Sequence, residues 1–297
     1  MVHYESNPAI KSSKTSSPGK PPILFVHGAW HGGWCWTENF VPYFQKAGHD
    51  VYTLDLRGHG KSPSIGSFRW TSIGNYVQDV RKVLDQLPPS TVLVGHSMGG
   101  LVVQKTLETA HVPKAVLLAS VPPYGVFRIT LELLFKHPIR FLRVLATLSL
   151  FPLVEDPKLS QELFFSKSLS DTKAFHYASR LQDESFFAFL GMLILSLPKT
   201  KKIQTPLLVI GGGKDRFFPP WEVALTAKAY EVKPEIFANM GHNLMLDEGW
   251  ENVAKRIESY LSSETVSKTK TVSKKTKTVS KKTKTKSKKK AKPKKRK

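Results

Sequence analysis

Cysteine is nearly absent from this chain, since Cys35 is the only one among 297 residues. A single thiol excludes an intramolecular disulfide, and proteins without disulfides are typical of reducing compartments. The first twenty residues also lack the apolar stretch of a secretory signal peptide. We therefore expect an intracellular protein, cytoplasmic or nuclear, that is not secreted.

Long apolar runs are missing as well. The longest stretches, residues 141–154 and 186–197, are both shorter than the roughly 20 residues that a membrane-spanning helix needs. Hydrophobic residues nevertheless make up 40% of the chain, which is enough for a core in one large or two modest domains. These features predict a soluble globular protein.

Acidic residues are absent from residues 265–297, which contain 16 Lys and one Arg. The net charge of the whole chain is +22, but residues 1–264 hold 28 basic and 23 acidic side chains. The motif TKTVSKK occurs twice in residues 269–282, and each unit has at most one apolar residue. Like charges at this density repel, so we predict a disordered Lys-rich tail over residues 264–297. Residues 1–20 are predicted to be flexible.

The Lys-rich tail is expected to bind a polyanion. Lys288–Lys297 (KKKAKPKKRK) has the closely spaced cations of a nuclear-localisation sequence. A nuclear import receptor, a nucleic acid and an anionic membrane surface are the three candidate partners. Binding to nucleic acid would be non-specific, because no aromatic residue interleaves with the lysines to stack on bases. A purely solubilising extension is the alternative.

Short apolar strands alternate with helical patterns along residues 21–263. Such alternation predicts an α/β fold with a doubly wound, mostly parallel sheet. The predicted strands are residues 23–26, 50–54, 91–94, 114–119, 205–210 and 235–237. The main predicted helices are residues 40–47 and 72–87, one that begins at Leu101, and 243–261.

One segment breaks this alternation. Residues 122–198 contain no convincing strand and are rich in Phe, Leu and Pro. The segment is too long for an ordinary connection between two strands of a sheet. We therefore predict a helical cap over residues 122–198, inserted between two parts of the α/β core, residues 21–121 and 199–263. A second layer of core helices is the alternative.

The sequence GHSMGG directly follows the predicted strand over residues 91–94 and opens a helix. Small residues on both sides of Ser97 let strand and helix approach closely, while the serine occupies a strained corner with its hydroxyl exposed. This arrangement, G-x-S-x-G, is typical of a nucleophile elbow. A glycine-rich turn whose serine caps the helix is the alternative. A nucleophilic serine also needs a base, an orienting acid and an oxyanion hole.

Candidates for these groups follow other predicted strands. Ligands of open α/β sheets bind outside the carboxyl ends of the strands, so the base should lie in a loop after a late strand. Among ten histidines, His242 fits this position, between the strand over residues 235–237 and the final helix. Asp215, in a glycine-rich loop after the strand over residues 205–210, is the candidate acid. Asp55 also follows a strand, but it precedes the serine and is expected to shape a loop.

The oxyanion hole is expected to consist of two backbone N–H groups. One belongs to the residue after the nucleophile, Met98, and the other to the loop after the first strand. In that loop, HGAWHGGWCW, the N–H of Ala29 is the natural donor. A loop of Gly and Trp that only packs against the core is the alternative. We expect no metal and no cofactor.

Residues 21–263 resemble the α/β-hydrolase-fold serine hydrolases, because HGAW, DLRGHGKS, GHSMGG, GGKD and GH occur in the expected order. The resemblance implies Ser97 as nucleophile, His242 as base and Asp215 as orienting acid, with Ala29 and Met98 as oxyanion donors. HGAWHGGWCW is similar to the plant methylesterase and hydroxynitrile lyase branch, whereas DLRGHGKS and GHSMGG are similar to monoacylglycerol lipases and lysophospholipases. Serine at the elbow departs from haloalkane dehalogenases and epoxide hydrolases, which use Asp there.

The sequence therefore predicts a carboxylic ester hydrolase of the esterase or lipase kind, which acts through an acyl-enzyme on Ser97. The substrate is expected to be a small-molecule or lipid ester. Apolar residues of the predicted cap favour an apolar acyl chain, although core packing explains the same composition. Two alternatives stay open. One is a perhydrolase, a carbon–carbon hydrolase or a lyase on the same triad, and the other is a weakly catalytic ligand receptor. The sequence does not predict the oligomeric state.

Overall fold

The computed structural model describes residues 20–64 and 66–263. The predicted Lys-rich tail and nearly all of the predicted flexible segment at the start of the chain lie outside these residues. No helix within them combines the length and the apolarity needed to cross a membrane.

Six parallel strands form one sheet in the order β2-β1-β3-β4-β5-β6. Their bounds are β1 Ile23–Val26, β2 Val51–Leu54, β3 Val92–His96, β4 Ala115–Leu118, β5 Leu207–Gly212 and β6 Pro234–Phe237. Because all strands are parallel, their carboxyl ends meet at one edge of the sheet. The predicted parallel α/β sheet is confirmed.

The described residues also form helices between and after the strands. The α-helices are α1 Trp34–Thr37, α2 Phe40–Lys46, α3 Ile73–Leu84, α4 Met98–Thr106, α5 Phe127–Lys136, α6 Pro138–Thr147, α7 Pro157–Phe164, α8 Asp171–Ala178, α9 Phe186–Leu190, α10 Pro220–Ala229 and α11 Trp250–Ser262. Gly191–Leu195 is a π-helix that continues α9.

The central strands of the sheet are buried on both sides, which explains why they are apolar runs rather than alternating patterns. Every residue of β1, β3 and β4 is buried. The ring of Phe25 in β1 stacks on Trp36 of α1 with a centroid distance of 4.7 Å. Helix α3 begins after Ser72, whose side chain and that of Asn75 form a reciprocal capping box. The order of strands and helices therefore follows directly from apolar runs and helix-start signals.

Residues between β4 and β5 form helices α5 to α9 and contain one isolated antiparallel bridge, between Ser149 and Ser185. Gln182 of this helical segment bonds to the loops that follow β1 and β2. The N–H of Gln182 donates to the carbonyl of Trp30, and its side-chain amide bonds to the backbone of Gly58 and Gly60. The division of the chain into two core parts and a cap stays a prediction.

The last helix begins at Trp250, seven residues later than the sequence pattern predicts. Gly249 has a φ of 88°, a left-handed conformation that interrupts a helix and favours glycine. The preceding residues instead turn around Asp247, whose buried carboxylate accepts hydrogen bonds from backbone N–H groups. Apolar spacing alone does not detect this turn, because Leu244 and Leu246 are buried here without belonging to a helix.

Candidate active site

Ser97 lies at the junction between β3 and α4, with φ 53° and ψ −120°. This conformation is costly for a residue with a side chain and is typical of strained functional positions. The turn is tight enough that a side chain at Gly95 or Gly99 would collide with neighbouring backbone. Ser97 is therefore held at a strained corner between strand and helix, as the nucleophile-elbow pattern predicts.

His242 and Asp215 are brought together from two different loops. Asp215 follows β5 and His242 follows β6, and His242 Nδ1 lies 2.9 Å from Asp215 Oδ2. The other carboxylate oxygen of Asp215 accepts hydrogen bonds from the N–H groups of Phe217 and Phe218, at 2.8 and 3.0 Å. Both side chains are buried. The aspartate is thus fixed from its own loop and can orient the imidazole ring.

Ser97 lies at the same edge of the sheet as this pair, but no hydrogen bond joins it to His242 among the described residues. The neighbour of the serine instead contacts the loop of His242. His96 Nε2 donates to the carbonyl of His242 at 3.1 Å, and the two rings pack with a centroid distance of 4.8 Å. The structure therefore brings the predicted acid and base into contact and holds the base loop against the elbow.

The two predicted oxyanion donors are free of other backbone and side-chain acceptors in the described part of the chain. Met98 is the first residue of α4, so its N–H has no partner inside the helix. Ala29 follows β1, and its neighbour Gly28 approaches so closely that an added Cβ would lie 2.9 Å from Ser97 Cβ. The two predicted donors thus lie on segments that meet at the corner that carries Ser97.

Three buried histidines surround these loops in neutral form. Burial lowers the pKa of His27 to about 4 and that of His31 to about 3, and it lowers the pKa of His96 well below its ordinary value. His31 Nδ1 donates to the carbonyl of Ala29 at 2.7 Å, which leaves Nε2 to accept from Asn243 Nδ2 at 3.1 Å. A neutral imidazole therefore links the loop of Ala29 to the residue after His242.

Asp247 is a site residue that the sequence analysis missed. Its carboxylate accepts from the N–H of Gly241 at 2.6 Å and from the N–H and hydroxyl of Ser166, both at 2.9 Å. This buried carboxylate joins the loop that carries His242 to the segment after α7. No spacing in the sequence points to the contact, because Ser166 lies 81 residues before Asp247.

Aromatic rings cover the pair of His242 and Asp215. The ring of Phe217 lies 4.6 Å from that of His242, and Phe164 lies 5.1 Å from Phe217. Trp30 packs against both phenylalanines, and all three side chains are buried. We call Trp30, Phe164 and Phe217 the aromatic cluster. It makes the surroundings of His242 apolar and includes one residue from the helical segment, Phe164.

The remaining candidates have structural partners. Asp55 accepts from the N–H groups of Gly33 and Lys61 at 2.6 and 3.0 Å, so it shapes two loops, as expected. His59 contacts Glu184 of the helical segment through Nε2 at 3.1 Å, and both side chains are fully buried. Within residues 20–64 and 66–263, no three His, Cys, Asp or Glu side chains lie close enough together to hold a metal ion.

Comparison with known proteins identifies relatives among plant enzymes. Esterase PIR7B of Oryza sativa subsp. japonica is 34% identical over 116 residues, which are 36% of this chain and 41% of that protein. Methylesterase 18 of Arabidopsis thaliana is 38% identical over 80 residues, which are 26% of this chain and 30% of that protein. The matched segment spans less than half the length of either relative.

Solved structures match over a larger share of the chain. Polyneuridine aldehyde esterase superposes with a TM-score of 0.63 at 20% identity, over 81% of this chain and 99% of that one. The esterase EaEST from Exiguobacterium antarcticum gives a TM-score of 0.64 at 21% identity, over 82% and 92%. At such identities the likeness concerns the fold. Residues 23–256 also match the alpha/beta hydrolase family. The chain therefore belongs to the α/β-hydrolase family.

Proposed function

We propose that this protein hydrolyses carboxylic esters through an acyl-enzyme on Ser97. The observation that carries the proposal is the hydrogen bond between His242 Nδ1 and Asp215 Oδ2, at the edge of the sheet where Ser97 occupies its strained corner. The order of nucleophile, acid and base along the chain is that of α/β-hydrolases. The names of the related plant esterases and methylesterases support the same reaction.

In the proposed reaction, Ser97 Oγ attacks the ester carbonyl while His242 Nε2 accepts its proton. The hydrogen bond from His242 Nδ1 to Asp215 fixes the tautomer and stabilises the imidazolium that forms. The N–H groups of Ala29 and Met98 stabilise the oxyanion. His242 then protonates the leaving alcohol and activates a water that cleaves the acyl-enzyme. The hydrogen bond from Ser97 to His242 is expected to form with bound substrate, because catalytic contacts tighten in the Michaelis complex.

The proposed substrate is an ester with at least one apolar group, either a small ester or a lipid-like one. The aromatic cluster and Phe218, whose ring lies 5.5 Å from His242, surround the base with apolar rings. Binding sites for small molecules combine such surfaces with a few placed polar groups. An apolar acyl or alcohol group would pack there, and the carbonyl would face the two N–H groups.

Substitution of the proposed triad tests the mechanism. Ser97→Ala is expected to lower kcat on p-nitrophenyl esters by roughly 10⁶-fold, His242→Ala about as much, and Asp215→Asn less. Ser120→Ala, which removes another buried serine hydroxyl, is the matched control and should keep kcat near that of the unaltered protein. Substantial ester hydrolysis by Ser97→Ala would refute the mechanism.

A substrate panel separates ester hydrolysis from the other reactions that this triad could perform. Every member of a series of esters with increasing acyl length should be cleaved faster than a cyanohydrin or a vinylogous diketone. A fluorophosphonate probe should label Ser97 and leave Ser97→Ala unlabelled. A protein that binds esters but is not labelled would instead be a receptor.

We also propose that the Lys-rich tail binds polyanions electrostatically and that this binding is separable from catalysis. Removal of residues 265–297 is expected to leave kcat/KM on a soluble ester within about twofold, because none of the residues proposed for the reaction belongs to this segment. The same removal should abolish a steeply salt-dependent affinity for polyanions. Loss of ester hydrolysis in the shortened chain, or no binding of the full chain to any polyanion at low salt, would contradict this.

A further inference from the structure

The outer side of α6 is apolar. Phe141 and Val144 are the buried residues of this helix. Toward solvent, Ile139 is 76% exposed, Leu142 65% and Leu145 51%. We call the exposed apolar residues of this helix the α6 apolar face: Pro138, Ile139, Leu142, Leu145 and Ala146.

These residues form one continuous stripe. At about 100° per residue, the α6 apolar face spans an arc of about 120°. The charged residues of the helix, Arg140 and Arg143, lie outside this arc, and its sequence, PIRFLRVLAT, contains no acid. Phe135, three residues before the helix, is also 78% exposed. Surface helices normally present polar residues on this side, so a contiguous apolar stripe marks an interaction site.

The arginines of α6 do not make the stripe cationic by themselves. Arg140 pairs with Asp156 at 2.9 Å, and Arg143 pairs with Glu155. These ion pairs connect one flank of α6 to the residues before α7 and so help to keep the apolar stripe outward. Most of the net positive charge of the protein lies elsewhere in the sequence, in residues 265–297, which carry 17 basic residues and no acid.

We propose that the α6 apolar face inserts into an anionic lipid surface to which residues 265–297 are attracted electrostatically. A helix with an apolar stripe lies in the plane of the membrane interface with that stripe among the acyl chains. Lysines near an anionic leaflet add attraction that falls off within a Debye length. The affinity of such a helix for the membrane increases with its buried apolar area and with electrostatic attraction to anionic lipids, and this chain contains both features.

Two other occupants each satisfy only one of the two features. A nucleic acid would neutralise the lysines, but it offers no apolar surface to Ile139 and Leu142. A second copy of the chain would cover the stripe, but it would also bring together two segments that each carry 17 positive charges. An anionic lipid surface satisfies the apolar stripe and the charge at once.

Vesicle cosedimentation with the full chain tests this proposal. The protein should bind vesicles of phosphatidylcholine with phosphatidylserine more tightly than vesicles of phosphatidylcholine alone, and added salt should reduce the difference. The double substitution Ile139→Ser/Leu142→Ser should weaken partition into the anionic vesicles by about thirtyfold. Phe175→Ser is the matched control: Phe175 is 60% exposed on α8, close to the polar Asp171 and Thr172, and its loss should change partition by less than about twofold.

A second measurement reports insertion directly. Cys35 is fully buried, so Leu142→Cys supplies the one accessible thiol of the chain. An environment-sensitive dye on Leu142→Cys should shift to shorter wavelength when anionic vesicles are added, and the same dye on Phe175→Cys should not. Ser97→Ala should bind vesicles like the unaltered protein, which separates this proposal from the proposed reaction.

Three results would overturn the proposal. The first is no binding of the full chain to anionic vesicles at low salt. The second is equal binding of Ile139→Ser/Leu142→Ser and the unaltered protein, because the tail would then act alone. The third is light scattering that shows a dimer which the double substitution converts to a monomer, because a second copy would then occupy the stripe.

Discussion

Asp247→Asn tests whether one buried carboxylate supports the loop of the proposed base. Asparagine keeps the shape of the side chain but removes its charge and replaces one acceptor oxygen with an NH₂ group. That NH₂ must face donors, because Asp247 accepts from Gly241, Ser166 and Glu248. The hydrogen bonds then no longer involve a charged acceptor, and one backbone or hydroxyl donor is left unpaired. Together these losses should lower the free energy of unfolding by about 3–5 kcal/mol.

Urea denaturation measures this cost, and a double-mutant cycle assigns it. Ser166→Ala removes one hydroxyl donor and should cost about 1–2 kcal/mol. Because Ser166 and Asp247 are in contact, the double variant should be more stable than the sum of the two costs predicts, by at least about 0.5 kcal/mol. Asp50→Asn, at an exposed aspartate before β2, is the control and should change stability by less than about 0.5 kcal/mol.

Kinetics on a soluble ester then show whether the support matters for the reaction. Gly241, which donates to Asp247, directly precedes His242, so a looser loop should lower kcat while KM changes little. The reasoning is refuted if the free energy of unfolding of Asp247→Asn is within about 1 kcal/mol of that of the unaltered protein. It is also refuted if the costs of Asp247→Asn and Ser166→Ala are strictly additive.

Two further substitutions test contacts of the helical segment. Burial alone would lower the pKa of His59 and raise that of Glu184, but their mutual attraction and hydrogen bond hold the first above and the second below its ordinary value. The pair therefore stabilises the fold above the ordinary pKa of Glu184 and below that of His59, and this stabilisation is lost as pH rises through the raised pKa of His59. Glu184→Gln should lower the free energy of unfolding, measured in urea, most near pH 5–6 and less at higher pH. Gln182→Ala keeps the N–H that donates to Trp30 but removes the amide that bonds to Gly58 and Gly60, and it should lower kcat roughly tenfold on a soluble ester. An unchanged kcat would show that the proposed reaction does not depend on this contact between the helical segment and the loop after β2.

Local signals in the sequence are sufficient to predict the sheet and the loops of the candidate site. Each strand is a short apolar run, and glycine-rich turns follow the strands that precede Ala29, Ser97 and Asp215. The contact between Asp215 and His242 agrees with the pairing proposed from chain order, and the role of each residue in catalysis stays a prediction.

Contacts between distant loops could not be predicted. His31 and Asn243 are 212 residues apart, and no local pattern indicates that a neutral imidazole joins them. The same holds for Gln182, whose partners in the loop after β2 lie more than a hundred residues earlier. Such contacts depend on the final packing of loops that are distant in the sequence, which apolar periodicity does not encode.

The strand order has a consequence for how the chain assembles. The first four strands form one contiguous part of the sheet and lie within residues 23–118, whereas 88 residues separate the end of β4 from the start of β5. Closing that connection costs about 2 kcal/mol more chain entropy than closing one of about a dozen residues. Ser97 belongs to the part that can form early, and Asp215 and His242 arrive with β5 and β6. We therefore expect the proposed nucleophile to be in place before the groups that would activate it, so that a half-folded chain carries an inert serine.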